Sequence, residues 1–154
     1  MERYLQGVWQ LSKWSVEDRE TERELLPYKG DVEGYLVYSP QGWVSASLMN
    51  RRRAPVCEDR IHLRELCAEV PTDPNAMQQV WEWFLAGFGY VAYCGRYEVV
   101  DNAVHHHLLT SLIPQWVGTT LVRDITWFDD FKELHLTAAP DRMVDKLQWR
   151  RIAD

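Results

Sequence analysis

The stretch GYLVYSPQGWVSASLM at residues 34–49 decides the fold class of this 154-residue chain. Two runs of β-forming residues flank SPQG at residues 39–42, where proline takes the second position of a turn and glycine the fourth. In the second run, WVSASL at residues 43–48, every second residue is apolar. Successive side chains of a strand point to opposite faces, so one face of this run is apolar and the other is small and polar. The stretch therefore predicts an antiparallel hairpin with one face against a core.

Further runs of β-forming residues lie on both sides of this hairpin. Turn signals at Asp101-Asn102, Pro114, Asp129-Asp130 and Pro140 divide the later ones. The predicted strands outside the hairpin cover residues 7–16, 93–100, 104–113, 118–128, 134–138 and 146–152. Seven or eight short strands in sequence are typical of an antiparallel barrel or sandwich. The fold class predicted is therefore mainly β.

One segment has the period of a helix rather than of a strand. In NAMQQVWEWFLAGFGYVAY, residues 75–93, apolar residues recur at three-to-four spacing after Pro74. The stripe comprises Met77, Val80, Trp81, Phe84, Phe88 and Val91. We predict one substantial amphipathic helix, packed by this stripe at an opening or face of the β structure. A shorter helix is predicted around residues 59–66, within a segment that otherwise reads as loop.

Composition excludes several classes of function. The net charge of −6 argues against a surface that neutralises phosphates, so nucleic acid is not expected as a partner. Three cysteines without a CxxC pair indicate a reduced, cytoplasmic protein rather than a disulfide framework. No stretch approaches the roughly 20 apolar residues of a membrane span. Eight Trp, seven Tyr and four Phe favour an aromatic cavity for a hydrophobic ligand. The length favours one domain over residues 1–154.

An ordered set of pieces resembles the lipocalin-like domain family, small β-barrels of bacteria and fungi. The pieces are GVW at 7–9, the hairpin at 34–49, YCGRYEV at 93–99, HHLLTSLIPQWVGT at 106–119, Arg123, ELHLT at 133–137 and LQWRR at 147–151. The resemblance implies a barrel that encloses a small hydrophobic molecule. Barrels of this shape also occur among enzymes that cyclise or isomerise biosynthetic intermediates. It further implies that Arg123 or Arg150 stacks on Trp9 and closes one end of the barrel.

Three consecutive histidines at residues 105–107 raise the question of chemistry. On a strand, His105 and His107 share one face and His106 points to the other. Two imidazoles at this spacing can bind a metal ion. A catalytic metal site needs at least one further histidine or carboxylate ligand, which the adjoining sequence lacks. A metal-dependent enzyme built on His105 and His107 stays an alternative, and no metal or cofactor is predicted.

A single histidine in a partly dry cavity is enough for acid–base catalysis, because its pKa lies near neutrality. A tyrosine or arginine could then hold an enolate or carbonyl oxygen. We therefore predict a cofactor-independent enzyme that cyclises, isomerises or eliminates on a polyketide-, terpenoid- or aromatic-like intermediate. The alternative is a carrier without chemistry, and a homodimer stays open. The predicted catalytic residues are His106, His107, Tyr97 and Arg123, and the predicted ligand contacts are Tyr38, Ser45, Tyr93, His105, Trp116 and Trp83.

Overall fold

The computed structural model describes residues 2–53, 55, 60–70, 72–139 and 142–154. The chain groups into two compact units, one made of residues 1–51 with 91–154 and the other of residues 52–90. A single domain over the whole length stays a prediction.

The first unit is a closed antiparallel barrel, which confirms the predicted fold class. Its strands are β1 (Gly7–Asp18), β2 (Arg23–Leu25), β3 (Val32–Tyr38), β4 (Trp43–Asn50), β5 (Tyr90–Val100), β6 (Ala103–Ser111), β7 (Thr120–Phe128), β8 (Glu133–Ala138) and β9 (Met143–Ala153). The order is β2-β1-β3-β4-β5-β6-β7-β8-β9, and β1 also pairs with β9. That pairing closes a barrel of eight strands and leaves the short, exposed β2 attached to β1. Short 3-10 helices span Glu2–Tyr4, Pro27–Gly30 and Pro114–Trp116.

The hairpin at residues 34–49 forms as its sequence predicts. The amide of Ser39 donates to the carbonyl of Trp43 at 2.8 Å, and the amide of Gly42 donates to the carbonyl of Ser39 at 3.1 Å. Gly42 has a φ of 77°, a conformation that favours glycine. On β4 the alternate residues Val44, Ala46 and Leu48 are buried, whereas Ser45 is exposed on the outer face. Alternation along this strand therefore separates the inside of the barrel from the outside.

Apolar side chains fill most of the inner face of the barrel. Each large apolar side chain that is fully buried contributes roughly 1.5–3 kcal/mol relative to an exposed one. Those least exposed include Trp9, Leu36, Val44, Val104, Leu108, Ile125, Leu134 and Trp149. The polar residues that also point inward, described below, are therefore exceptions that need an explanation.

An arginine closes one end of the barrel over Trp9, but it is Arg151. The guanidinium carbon of Arg151 lies 4.2 Å from the centroid of the Trp9 ring, and Arg151 Nη1 donates to the carbonyl of Gln6 at 2.6 Å. The prediction that Arg123 or Arg150 takes this place is wrong. Trp149 and Arg151 share the inner face of β9, so Arg150 between them points outward. Arg123 lies on β7 and points into the barrel.

The second unit contains two helices, α1 (Arg60–Glu69) and α2 (Pro74–Phe88). Asp73 caps α2 by accepting a hydrogen bond from the amide of Asn75 at 2.9 Å, and Pro74 occupies the first turn. The long helix is confirmed. The predicted start of the short helix at Asp59 lies outside the described residues. Within those residues, neither helix is long and apolar enough to cross a membrane.

The expectation that the apolar stripe of α2 is buried is wrong. Met77, Trp81, Phe84 and Phe88 are each about half exposed or more, and the buried position on α2 is Ala76. The aromatic rings contact one another along the helix surface instead, with Trp81 stacked on Phe84 at 5.2 Å between ring centroids. Periodicity identifies an apolar face, but it does not say what covers that face.

Candidate functional site

The inner face of β6 carries a buried histidine. Val104, His106 and Leu108 alternate inward and are at most 1% exposed, whereas His105 and His107 point outward. The apolar neighbours decide which face turns inward, because turning the strand over would expose Val104 and Leu108. His106 is therefore the member of the histidine triplet that belongs to the barrel interior.

Two tyrosines hold both ring nitrogens of His106. The Tyr38 hydroxyl lies 2.7 Å from His106 Nε2, and the Tyr93 hydroxyl lies 2.9 Å from His106 Nδ1. A neutral imidazole donates from one nitrogen and accepts at the other, so one hydroxyl accepts from the ring while the other donates to it. Tyr38, His106 and Tyr93, here called the tyrosine–histidine cluster, thus form one continuous hydrogen-bonded chain across β3, β6 and β5.

A glycine on β5 lets the strands approach closely at this cluster. A side chain at Gly95 would place its Cβ only 2.0 Å from the carbonyl oxygen of His107. Gly95 sits beside a register shift between β5 and β6, with Tyr93 on one side and Tyr97 on the other. Tyr97 lies directly opposite His106. Close backbone approach therefore brings both tyrosines of β5 against the histidine.

Burial keeps the cluster uncharged at neutral pH. Loss of hydration lowers the pKa of His106 to about 3, and the positive charge of Arg123 adds to that effect. Burial raises the pKa of Tyr93 to about 12 and holds the pKa of Tyr38 well above its usual value, although Arg123 opposes both shifts. At pH 7 the cluster is therefore a neutral imidazole between two protonated phenols.

Arg123 is the charged neighbour of this neutral cluster. It points inward from β7, pairs in register with Val104, and is therefore a diagonal neighbour of His106. Its Nη1 donates to the carbonyl of Val122 at 3.0 Å. Across the residues that the structure describes, no carboxylate oxygen lies within 4.0 Å of its guanidinium. A positive charge thus lies on the inner face of β7, and the described residues provide no acidic partner for it.

Two other predicted site residues pack on the cluster from its edges. Tyr97 is 5% exposed, its ring centroid lies 4.8 Å from that of Tyr38, and its hydroxyl donates to the carbonyl of Ser39 at 3.2 Å. The ring of Trp116, on the 3-10 helix after β6, lies 6.3 Å from that of Tyr93. Tyr97 therefore supports Tyr38, and Trp116 supports Tyr93.

The remaining predicted residues lie elsewhere. His107 is on the outer face, with Nδ1 2.9 Å from Thr120 Oγ1 and Nε2 3.0 Å from Glu98 Oε1. His105 is beside it, with 6.4 Å between the two ring centroids. Ser45 is on the outer face of β4, and Trp83 is exposed on α2. The three residues on the barrel, His105, His107 and Ser45, do not join the cluster.

The metal alternative has no complete ligand set in the described part of the chain. No group of three or more His, Cys, Asp or Glu side chains there is arranged to hold a metal ion. Cys67 and Cys94 are free thiols, and Cys57 lies outside the described residues. Among the described residues, His105 and His107 therefore provide two imidazoles without the further ligand that such a site requires.

An open groove at the closed end of the barrel was not predicted from the sequence. It encloses about 770 Å³. Tyr4 and Phe131 stack there with 4.0 Å between ring centroids. Its lining also includes Arg3, Gln6, Gly7, Val8, Val37, Tyr38, Ser39, Pro40, Asp130, Lys132, Arg151 and Asp154. Because the lining combines both chain ends with two turns, no local sequence signal could have indicated it.

Two further donors are buried in the barrel. Within the described ranges, the indole N–H groups of Trp127 and Trp149 have no hydrogen-bond partner. Trp127 is on the same face of β7 as Arg123, and Trp149 is 2% exposed on the inner face of β9. A buried donor without an acceptor costs about 1–3 kcal/mol. These two indoles are therefore donors that a bound acceptor could satisfy.

A closed eight-stranded antiparallel barrel with a few polar groups on an apolar inner face has the architecture of a lipocalin-type binding protein. The sequence profile of the lipocalin-like domain matches residues 6–152, nearly the whole chain. The chain therefore belongs to the lipocalin-like domain family, which confirms the resemblance noted in the sequence. No curated protein and no solved structure matches it significantly. The family and the barrel together suggest that the protein binds a small molecule.

Proposed function

We propose that this protein is a cofactor-independent enzyme that holds a hydrophobic small molecule in the barrel and moves a proton on it. The reaction class is cyclisation, isomerisation or elimination of a polyketide-, terpenoid- or aromatic-like intermediate. The observation that carries the proposal is the tyrosine–histidine cluster, a hydrogen-bonded chain of titratable groups inside a mostly apolar barrel. Titratable groups in such surroundings are costly to bury, which favours a chemical use for them.

Tyr93 is the member of the cluster that reaches the ligand. Tyr38 and His106 are at most 1% exposed, whereas Tyr93 is only partly buried. When Tyr38 donates to His106 Nε2 and His106 Nδ1–H donates to Tyr93, the Tyr93 hydroxyl is free to donate to a ligand oxygen. Donors aligned in this way polarise one another, which strengthens the last bond in the chain. Tyr93 thus acts as the acid and His106 positions it.

The other tautomer of His106 reverses the direction of the chain. Tyr93 then donates to His106 Nδ1, and its oxygen can accept a proton from the ligand while its own proton passes to the imidazole. The pKa of about 3 makes an imidazolium costly in the empty barrel. Negative charge that forms on a ligand oxygen beside His106 and Arg123 offsets this cost. Both halves of a proton transfer can therefore use the same pair of residues.

Proton exchange tests this proposal without knowledge of the natural substrate. Hydrophobic ketones with enolisable C–H bonds are incubated in D₂O, and the loss of the C–H signal is followed by proton NMR. We expect the wild-type protein to accelerate exchange for members of such a panel. Tyr93→Phe should lower the accelerated rate by about 100-fold or more, because it removes the group that exchanges protons with the ligand.

Tyr35→Phe is the matched control for this experiment. Tyr35 is exposed on the outer face of β3, and its hydroxyl bonds to Glu33 Oε1 at 3.0 Å. Its variant should exchange protons at the wild-type rate. Equal rates for Tyr93→Phe and wild type would remove Tyr93 from the mechanism, and binding without accelerated exchange anywhere in the panel would contradict the enzyme proposal.

A carrier without chemistry is the second candidate, and one observation favours it. Both ring nitrogens of His106 already have partners within the protein. A polar wall that satisfies itself needs no reaction to justify it. The same panel of ketones distinguishes the two candidates. With a carrier, binding of a ketone would quench the tryptophan fluorescence but leave the rate of proton exchange unchanged.

A cytoplasmic location rests on the sequence alone.

A further inference from the structure

We infer that the ligand is a hydrophobic organic acid whose ionised oxygens are held by Arg123, an inference that rests on the proposed binding in the barrel. The proposed reaction alone requires only an oxygen on which charge develops. The further step is that the ligand already carries a negative charge when it enters.

The position of Arg123 follows from the strand register. Ile125, on the same face of β7, is 2% exposed, while Val122 and Asp124 on the other face are exposed. The pairing of Arg123 with Val104 places it one step along from His106 on the neighbouring strand. Diagonal neighbours of this kind lie within reach of a long side chain. Arg123 is thus a half-buried residue on the inner face of β7, beside the cluster.

Charge balance around Arg123 calls for an anion. The groups that face it are the phenols of Tyr38 on β3 and Tyr93 on β5 and the imidazole of His106 on β6, and all three are neutral at pH 7. In the described part of the chain no carboxylate lies within 4.0 Å of its nitrogens. A charge near low-dielectric walls interacts more strongly with an opposite charge than it would in water. A ligand that carries a carboxylate supplies that opposite charge.

Hydrogen-bond balance points in the same direction. One guanidinium nitrogen donates to the Val122 carbonyl. Its other N–H groups can form the bidentate pair that a planar carboxylate accepts. The buried N–H groups of Trp127 and Trp149, for which the described residues offer no partner, are also donors. The interior therefore offers donors to a ligand that is rich in acceptors.

A matched pair of probes tests this inference. 2-Naphthoate and 2-naphthamide have nearly the same shape and apolar area, but only the first is charged at pH 7. Titration calorimetry of the full chain gives both affinities. We expect wild type to bind the acid at least about 10-fold more tightly than the amide, the range of a charge-assisted hydrogen bond. Arg123→Gln should remove this preference and leave amide affinity within about twofold, whereas Arg123→Lys should retain part of it.

Arg96→Gln is the control, because Arg96 lies on the outer face of β5 over the ring of Trp43 at 4.8 Å. Its probe preference should equal that of wild type. Equal affinities of wild type for the two probes would overturn the inference, and so would a preference that survives in Arg123→Gln. In both cases measurable amide binding would leave the proposed barrel site intact. Failure of wild type to bind either probe would contradict both proposals. The comparison in wild type decides even if the Arg123 variants do not fold.

Discussion

Acidification from pH 7 to pH 4 is expected to lower the free energy of unfolding by about 3 kcal/mol through His106 alone. Burial lowers the pKa of His106 from 6.5 to about 3 in the folded protein. The unfolded chain therefore takes up the proton first as the pH falls. The contribution of His106 to stability is fully present above about pH 6.5, and it is lost progressively as the pH falls to the pKa of the folded state.

Urea unfolding followed by tryptophan fluorescence at several pH values between 7 and 4 measures this loss. The groups hydrogen-bonded to His106 are the phenols of Tyr38 and Tyr93, and neither titrates in that range because burial raises the pKa of both. The pKa of Asp18 is held low by hydrogen bonds from Arg142, so its contribution is lost mainly below the unfolded carboxyl pKa of 3.8. The range therefore isolates the histidine from this ion pair.

His106→Gln supplies the comparison, because an amide can bond to both tyrosines but does not titrate. Between pH 7 and pH 4, we expect the free energy of unfolding of this variant to fall by about 3 kcal/mol less than that of wild type. The control is His135→Gln, which removes a partly buried histidine bonded to Glu133 at 2.5 Å. This variant should retain the loss of stability on acidification that His106 causes in wild type. Equal losses in wild type and His106→Gln would show that His106 is not buried in its neutral form.

Trp9→Ala is expected to cost about 3–5 kcal/mol of stability, the range for removing a large buried aromatic side chain. Trp9 is 0% exposed, its Nε1 donates to the carbonyl of Leu5 at 2.8 Å, and Arg151 stacks on its ring. The substitution therefore removes apolar contact, a hydrogen bond and the cation–π contact that closes the barrel end.

Trp43→Ala is the matched control, because Trp43 is 44% exposed and also lies under an arginine, Arg96. We expect it to cost about 1 kcal/mol or less, since exposed cation–π contacts contribute about 0.5–1 kcal/mol. Denaturant midpoints of both variants give the comparison. A loss for Trp9→Ala no larger than that for Trp43→Ala would mean that Trp9 does not hold the end of the barrel together.

Most strands could be predicted from the sequence because strand signals are local. The hairpin at residues 34–49 contains its alternation and its turn within sixteen letters, and the helix after Pro74 carries its own period. The three-residue β2 is too short and too charged for such a signal, and it forms because β1 extends far enough to pair with it. The sequence also contains the signal for the arginine over Trp9, because strand alternation places Arg151, and not Arg150, on the same face as Trp149.

The candidate site depends on contacts that no local pattern encodes. Tyr38 and His106 are 68 positions apart, and only the closed order of strands brings their polar atoms to 2.7 Å. Alternation divides the histidine triplet into two faces but does not say which one is inner. The burial of Val104 and Leu108 decides that. The exposed apolar stripe of α2 shows a second limit. Its period predicts an amphipathic helix, but it does not predict whether the stripe is buried.

NMR of the imidazole nitrogens during titration with 2-naphthoate tests most directly whether a ligand binds in the barrel against the tyrosine–histidine cluster. With uniform ¹⁵N labelling, each histidine ring and each backbone amide gives its own signals, and the ring signals are assigned by single substitutions. We predict that the Nδ1 and Nε2 signals of His106 shift as the ligand binds, while those of His135 on β8 stay in place. Saturable binding that leaves His106 unchanged and perturbs the amides of Tyr4 and Phe131 in the groove at the closed end would contradict the proposed site.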